Sequence, residues 1–399
     1  MTGAPHSDGL ATEFVGQRGR LFKLALVTGV WTVLTLGFYR FWMKTRLRRW
    51  YWSSIRPGGL PLEYVGDPLE KLLGFFIAVV IMAFYIGIVN LILMFASLSL
   101  FASNFTAYAL SFVGVIPIWF FARYRARRYV LARTRWRGVR FGLEPGAWGY
   151  AARALWHWVL TILTLGILWP RKTFYLEKYR TDRTVYGSVT LHQGGTWGML
   201  MPAYVHVLIG AAFMAVATFG AYTGNYAMTG LYDVGVPWIA GGLVYYNVES
   251  TRLLAQHKSA GDIGLTARPQ TGVIARIYGF GYLATALVVI VPVLPILAFI
   301  GYLQTVRMGT MWNPDAVTGE LMGLPLWVWT ILGAFAYFAV FLMWSVLRYS
   351  YVTMPLWRHF AQTLTIENPA ALVAISQKDR DEFHEAEGFV EALDLGAAI

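Results

Sequence analysis

The sequence predicts an all-α polytopic membrane protein: a six-span helical bundle with two short re-entrant or in-plane helices, built from internal repeats with short strand-like cytoplasmic segments. Three observations lead there. The 399 residues are 57% hydrophobic and only 14% charged, against about 25% charged in soluble domains. The apolar residues gather in long uncharged runs such as Leu72 to Ala102, and about 20 such residues as helix cross the hydrocarbon core. One sequence element recurs along the chain.

Residues 1–20 are polar and end in Arg18 and Arg20; they lack a signal-peptide pattern and form an N-terminal cytoplasmic segment. Long apolar runs at 72–97, 105–122, 197–222, 234–248, 277–303 and 325–347 are the expected spans. Two shorter runs, Leu24 to Tyr39 and Ala154 to Trp169, reach only about 24 Å as helix against a core of about 30 Å.

The short runs hold the repeat. Thr32-Val33-Leu34-Thr35-Leu36-Gly37 returns as Thr161-Ile162-Leu163-Thr164-Leu165-Gly166, 129 residues later and identical at five of six positions. Each copy leads into a basic, aromatic segment and then a strand-like piece ending in glycine, Leu62 to Gly66 and Val189 to Gly194. The expected organisation is repeat unit 1 at 21–138, unit 2 at 139–260, a degraded third unit at 261–366 and an acidic cytoplasmic tail at 367–399.

Lys and Arg collect on the cytoplasmic side of bacterial membranes. If both short runs cross, the 33 basic residues divide 16 to 17; if both re-enter, only Arg307 falls outside. The sequence therefore favours re-entrant elements bent near Thr35, Gly37, Thr164 and Gly166, with both termini cytoplasmic in an inner membrane. The alternative is a pair of short tilted spans.

The paired Thr-Leu-Gly elements, Arg125, Arg127, Arg128 and Tyr129, the stretch Thr134 to Phe141, and Tyr246-Asn247 together resemble the YjgN-like family of bacterial inner-membrane proteins of unknown function. The likeness covers most of residues 14–350 and implies location and fold, with no assigned activity. The chain departs from the pattern at Pro170-Arg171, in the third repeat, and in the acidic tail.

Chemistry is sparse. Cysteine is absent, which excludes thiolate nucleophiles, cysteine metal sites and disulfides. The seven histidines have no metal-ligand spacing, so no metal or other cofactor is expected. Phosphate-loop and nucleophile-elbow motifs are missing, and the chain is not expected to be an enzyme. Polar residues inside apolar runs are the default functional candidates: Asn90, His157 and His206. The densest constellation is Arg123, Arg125, Arg127, Arg128, Arg133, Arg135, Arg137 and Arg140, interleaved with Tyr124, Tyr129 and Trp136. Arginine forks bind phosphate, so these residues are candidates for anionic lipid head groups; enforcing topology is the competing role. Nucleic acid is not an expected partner, because the patch is tied to a membrane. The tail has eight acidic and two basic residues against a net charge of +12 for the whole chain, and residues 376–393 are candidates for a polar helix that recruits a protein partner. Two functions follow: transport of a small or amphiphilic solute, suggested by repeats and broken helices, or a non-transporting scaffold for anionic lipid or a partner protein.

Overall fold

The computed structural model describes residues 9–101, 104–310, 320–321 and 324–377. The chain divides into two compact units, Met1–Val15 with Lys44–Ile274 and His359–Ile399, and Gly16–Met43 with Ala275–Arg358.

The first unit is organised by strands that are individually too short to be stable alone. These are β1 (Leu10–Phe14), β2 (Ile55–Pro57), β3 (Leu62–Tyr64), β4 (Thr134–Trp136), β5 (Val139–Leu143), β6 (Thr184–Tyr186), β7 (Val189–Gln193), β8 (Lys258–Ala260), β9 (Ile263–Ala267) and, late in the chain, β12 (Leu364–Ile366). They form one antiparallel sheet of ten strands, ordered β2-β1-β12-β9-β8-β7-β6-β5-β4-β3. The end strands β2 and β3 are consecutive in sequence, and the sheet curls into a nearly closed, barrel-like ring. Closure leaves few of the unpaired edge groups that an open sheet presents.

Tight turns join β4 to β5, β6 to β7 and β8 to β9, with pairs Trp136↔Val139, Tyr186↔Val189 and Ala260↔Ile263. Helices join the other neighbours. Between β3 and β4 run α3 (Pro68–Phe84), α4 (Asn90–Phe101) and α5 (Asn104–Ala132); between β5 and β6, α6 (Ala147–Leu163) and α7 (Trp169–Thr181); between β7 and β8, α8 (Met201–Tyr222) and α9 (Leu231–Gln256). Strands that alternate between a tight turn and a helical excursion put the turns on one rim and the helices on the other. Between β1 and β2 lie α1 (Arg18–Leu34) and α2 (Arg40–Ser54), and between β9 and β12 lie α10 (Thr271–Thr310), α11 (Leu326–Arg348) and α12 (Met354–Gln362). Five units of strand, helical excursion and strand therefore follow one another in chain order, with two helices in three of them and three helices in the other two.

In the second unit α1 packs on α11. Gly29 permits the approach, since a Cβ there would collide with Leu342, and Thr28 and Val346 are buried nearby. A short pair of strands, β10 (Glu320–Leu321) and β11 (Leu324–Pro325), precedes α11.

Two expectations need correction. The fold is not all-α, because the strand-like pieces assemble into the ten-stranded ring. Among the described residues, three helical segments are long and apolar enough to cross a membrane, Trp197–Tyr222, Thr271–Val291 and Gly333–Gln362, in place of the six spans expected. Apolar runs alone overcount: the run at 234–248 belongs to a helix that also contains Asp233, Pro237 and Glu249, while several side chains of the run at 72–97 lie outside the described residues. The two short runs are each divided between two helices, with α1 ending at Leu34 and α2 starting at Arg40, and α6 ending at Leu163 and α7 starting at Trp169.

Candidate functional site: the lumen of the strand ring and its basic surround

Side chains alternate across a strand, and on this ring the inward positions are apolar. Leu62, Trp136, Phe141, Tyr186, Leu191, Ala260, Ile263, Leu265 and Ile366 line a cavity of about 230 Å³. The register stacks them in pairs: Leu62↔Trp136, Phe141↔Tyr186, Leu191↔Ala260 and Leu265↔Ile366. The one buried hydroxyl among them is satisfied, since Tyr186 Oη donates to the Trp136 carbonyl at 2.9 Å. Burial pushes that phenol up to about 12.

The chain's own C-terminal segment covers one mouth. After β12, Asn368 takes a left-handed conformation (φ +53°), and Pro369–Ala374 forms a 3-10 turn. Leu372 and Ile375 are buried among Trp136, Tyr186, Ile263 and Ile366. Arg140 N donates to Gln377 Oε1 at 2.8 Å, and Ser376 N to Ser188 Oγ at 3.4 Å. The turn that receives this segment needs glycine: Gly187 has φ +55°, and a Cβ there would meet the Ser376 carbonyl.

A basic residue recurs eight positions before the last residue of β2, β4, β6, β8 and β12: Arg49, Arg128, Lys178, Arg252 and Arg358. Three of these tie down a backbone carbonyl at or just beyond the end of the strand across the hairpin or its equivalent. Arg49 Nη2 donates to Gly66 O at 2.8 Å, Lys178 Nζ to Gln193 O at 2.7 Å and Arg358 Nη2 to Gly16 O at 3.0 Å. This periodic residue was missed in the sequence, although a repeat search anchored on the strand ends would have shown it.

The eight candidate arginines divide between two elements. Arg123, Arg125, Arg127, Arg128 and Arg133 lie along α5 and the residue after it, while Arg135, Arg137 and Arg140 lie on the β4–β5 hairpin. Arg133 pairs with Glu70 at 2.5 Å, and the same carboxylate accepts from Tyr129 Oη at 3.0 Å. Arg123 and Arg125 pack over Trp119 and Phe121, and Arg137 occupies the hairpin turn with φ +52°. Arg127 instead reaches a half-buried cluster that sequence reading did not find. In it Glu177 accepts from Arg180 Nη2 at 2.5 Å and from Lys258 Nζ at 2.6 Å. Burial alone would raise this carboxyl, but Arg180, Lys258 and Arg127 overcome it and hold Glu177 well below the usual range.

At the expected bends, Leu36 and Leu165 have φ +51° and +49°, and Gly37 and Gly166 follow at +94° and +90°. Gly37 N and Gly166 N each donate 2.7 Å back to Thr32 O and Thr161 O, a helix-ending pattern that satisfies late carbonyls. Thr35 Oγ1 and Thr164 Oγ1 cap the turns by donating to Trp31 O and Leu160 O and accepting from Tyr39 N and Leu168 N. The leucines at these tips are 87% and 94% exposed.

His157 is buried and stacks on Tyr175 with ring centroids 5.1 Å apart. His206 meets Tyr245 edge to face at 5.2 Å in a groove along α8 and α9 that also includes Trp238, Gly242 and Asp233. Asn90 opens α4, but its side chain lies outside the described residues, as does the expected tail helix beyond residue 377. Among the described residues no cluster of His, Asp or Glu could hold a metal ion.

No match was found among curated proteins or solved structures. One family does match, over residues 10–235, and its description is that of a bacterial protein of unknown function. That span takes in the ring strands β1 to β7, the arginine-rich α5 and both Thr-Leu-Gly turns, so this chain belongs to the bacterial family of unknown function DUF898, the YjgN-like family.

Proposed function

We propose that this chain is a multi-pass protein of the bacterial inner membrane, with cytoplasmic termini, that conducts an amphiphilic solute through the lumen of its strand ring. One observation supports the reading above the others: a cavity of about 230 Å³ lined by apolar side chains from around the ring, with Leu372 of the C-terminal segment in its wall. Lined by aliphatic and aromatic groups, such a lumen suits a hydrocarbon chain and disfavours a hydrated ion. The three apolar helices provide membrane association, and the distribution of Lys and Arg favours the cytoplasmic side for the ring. No chemical step is part of the reading.

The test is lipid translocation by the full chain in liposomes containing a trace of fluorescently labelled phosphatidylglycerol. Dithionite added outside bleaches about half the label in protein-free vesicles. The expected result is bleaching well beyond half with the protein present, faster with Leu372→Asp, which expels the cap, and abolished by Ala260→Trp, which fills the lumen. Bleaching that stops at half for both wild type and Leu372→Asp overturns conduction.

A second reading, a scaffold that binds anionic lipid or a protein partner without moving anything, draws support from the basic α5 and the acidic composition after residue 367. It predicts lipid binding without translocation, and altered co-purifying partners when residues 378–399 are deleted.

A further inference from the structure

Positive charge gathers around Glu177 in excess of what one carboxylate can neutralise. Both of its oxygens are taken, Oε2 by Arg180 and Oε1 by Lys258. Arg127 approaches from α5 and is influenced by Arg180 and Glu177, yet it makes no hydrogen bond or ion pair among the described residues. The Nε atoms of Arg123, Arg127 and Arg180 are all buried without a partner. One helical turn before Arg127, Arg123 faces Lys172, a buried ammonium held between Trp158 and Trp169. Burial and the Arg123 charge bring Lys172 down to about 8. Glu177 thus answers three cations, Arg180, Lys258 and Arg127, and Arg123, which acts on both Arg127 and Lys172, carries the run of positive charge further.

Four other basic side chains of the same unit are paired locally. Arg133 has Glu70, Arg252 has Glu249, and Arg49 and Lys178 have backbone carbonyls. An uncompensated ion is costly to remove from water, so a cluster of this sign persists best with an anion among its members. Guanidinium forks match the oxygens of a phosphate two at a time, and an ammonium adds a point charge.

We propose that Arg123, Arg127, Lys172 and Arg180 frame a binding site for a phosphate-bearing anion, the head group of an anionic amphiphile. The inference rests on the conduction reading only for the apolar part of that ligand, which the ring lumen would take. Trp119, Trp158 and Trp169 border the cations and provide apolar surface next to the charge. The same phosphate chemistry belongs to a lipid head group and to free phosphate.

Thermal unfolding of the full chain in detergent separates these sources. Phosphatidylglycerol, phosphatidylcholine and inorganic phosphate are titrated in turn. Saturable stabilisation by phosphatidylglycerol but not by phosphatidylcholine is the expected result. Arg127→Gln should shift the half-saturating concentration upward at least tenfold, Arg127→Lys by less, and Arg268→Gln, which removes one exposed charge elsewhere, not at all. Inorganic phosphate that stabilises at comparable concentrations and depends on Arg127 supports the site with a free anion as ligand. Equal responses in wild type and both Arg127 variants overturn the site, and so does the absence of any response in the wild type. Binding that depends on Arg127 without translocation of labelled lipid leaves the site standing and removes conduction, whereas translocation that survives Arg127→Gln with binding lost separates conduction from this site.

Discussion

Replacing Glu177 by Gln tests the half-buried charge cluster most directly, because the amide keeps the shape and removes only the charge. In the native chain the carboxylate touches Arg180 at 2.5 Å and Lys258 at 2.6 Å. Charge centres about 4 Å apart attract by about 4 kcal/mol each at an effective dielectric near 20, giving about 8 kcal/mol for the pair. Desolvating the carboxylate costs several kcal/mol of that. A net loss of about 3–5 kcal/mol is therefore expected, and at about 2 °C per kcal/mol for a body of this size Tm in detergent falls by roughly 6–10 °C. The pH dependence fixes the sign independently. Glu177 is held well below the usual carboxylate range in the folded chain and titrates near 4.3 when unfolded. Its contribution is fully present above that value and is lost as pH falls toward and through the folded pKa, so wild type should lose stability there while Glu177→Gln changes less. In the phosphate titration the variant should bind more tightly, since the cluster becomes more positive. A Tm within about 2 °C of wild type with an unchanged pH profile would refute the account of the cluster.

Three further outcomes can be stated from the ring and its tips. Lys178→Met removes the bond to the Gln193 carbonyl and should cost about 1.5 kcal/mol, the low end for a bond to a charged group, read as a lower denaturation midpoint that Lys178→Arg largely restores. Gly187→Ala places a methyl against the Ser376 carbonyl at a φ of +55° and should free the C-terminal segment, seen as faster protease cleavage after residue 368 with the rest of the chain intact. Leu165→Asn relieves a left-handed leucine, which costs about 1–2 kcal/mol, and also removes an apolar side chain that is 94% exposed. It should raise stability in detergent while weakening retention on liposomes, and a loss of stability in detergent would show that the tip is held by packing.

How far the sequence spoke depends on the range of each interaction. The matching turns after α1 and α6 follow a local signal: Leu34 to Gly37 and Leu163 to Gly166 are identical in sequence, and helix endings of this kind are set within six residues. The strand-like pieces at Leu62 to Gly66 and Val189 to Gly194 were legible for the same reason. Their assembly was not, because β1 pairs with β12 across most of the chain and strands of three to five residues carry too little alternation to announce a partner. Glu177 meets Lys258 from 81 residues away, which no spacing rule reaches. The arginines misled in another way. Basic residues were read only for the side of a membrane they would mark, yet Arg49, Lys178 and Arg358 fasten backbone carbonyls. A count of charges by side carries no information about such latching.

The lumen poses the sharper problem of why it is not filled. Small residues, Ala260 and Ser259, border it alongside Leu191 and Ile263, and larger side chains at those positions would close the gap. A sealed, dry apolar cavity costs about 24 cal/mol per Å³, so on the order of 5 kcal/mol is the upper bound for this half-open one of about 230 Å³. Ala260→Trp turns this into a measurement of opposite signs. If the lumen serves only to close the ring, filling it should stabilise the protein in every solvent, as cavity filling does elsewhere. If an amphiphile ordinarily occupies it, the variant should gain stability in lipid-free detergent and lose the stabilisation that wild type gains from added lipid, because ligand and tryptophan compete for one volume. Equal gains with and without lipid would mean that the lumen binds nothing, and the conduction reading would fail with it.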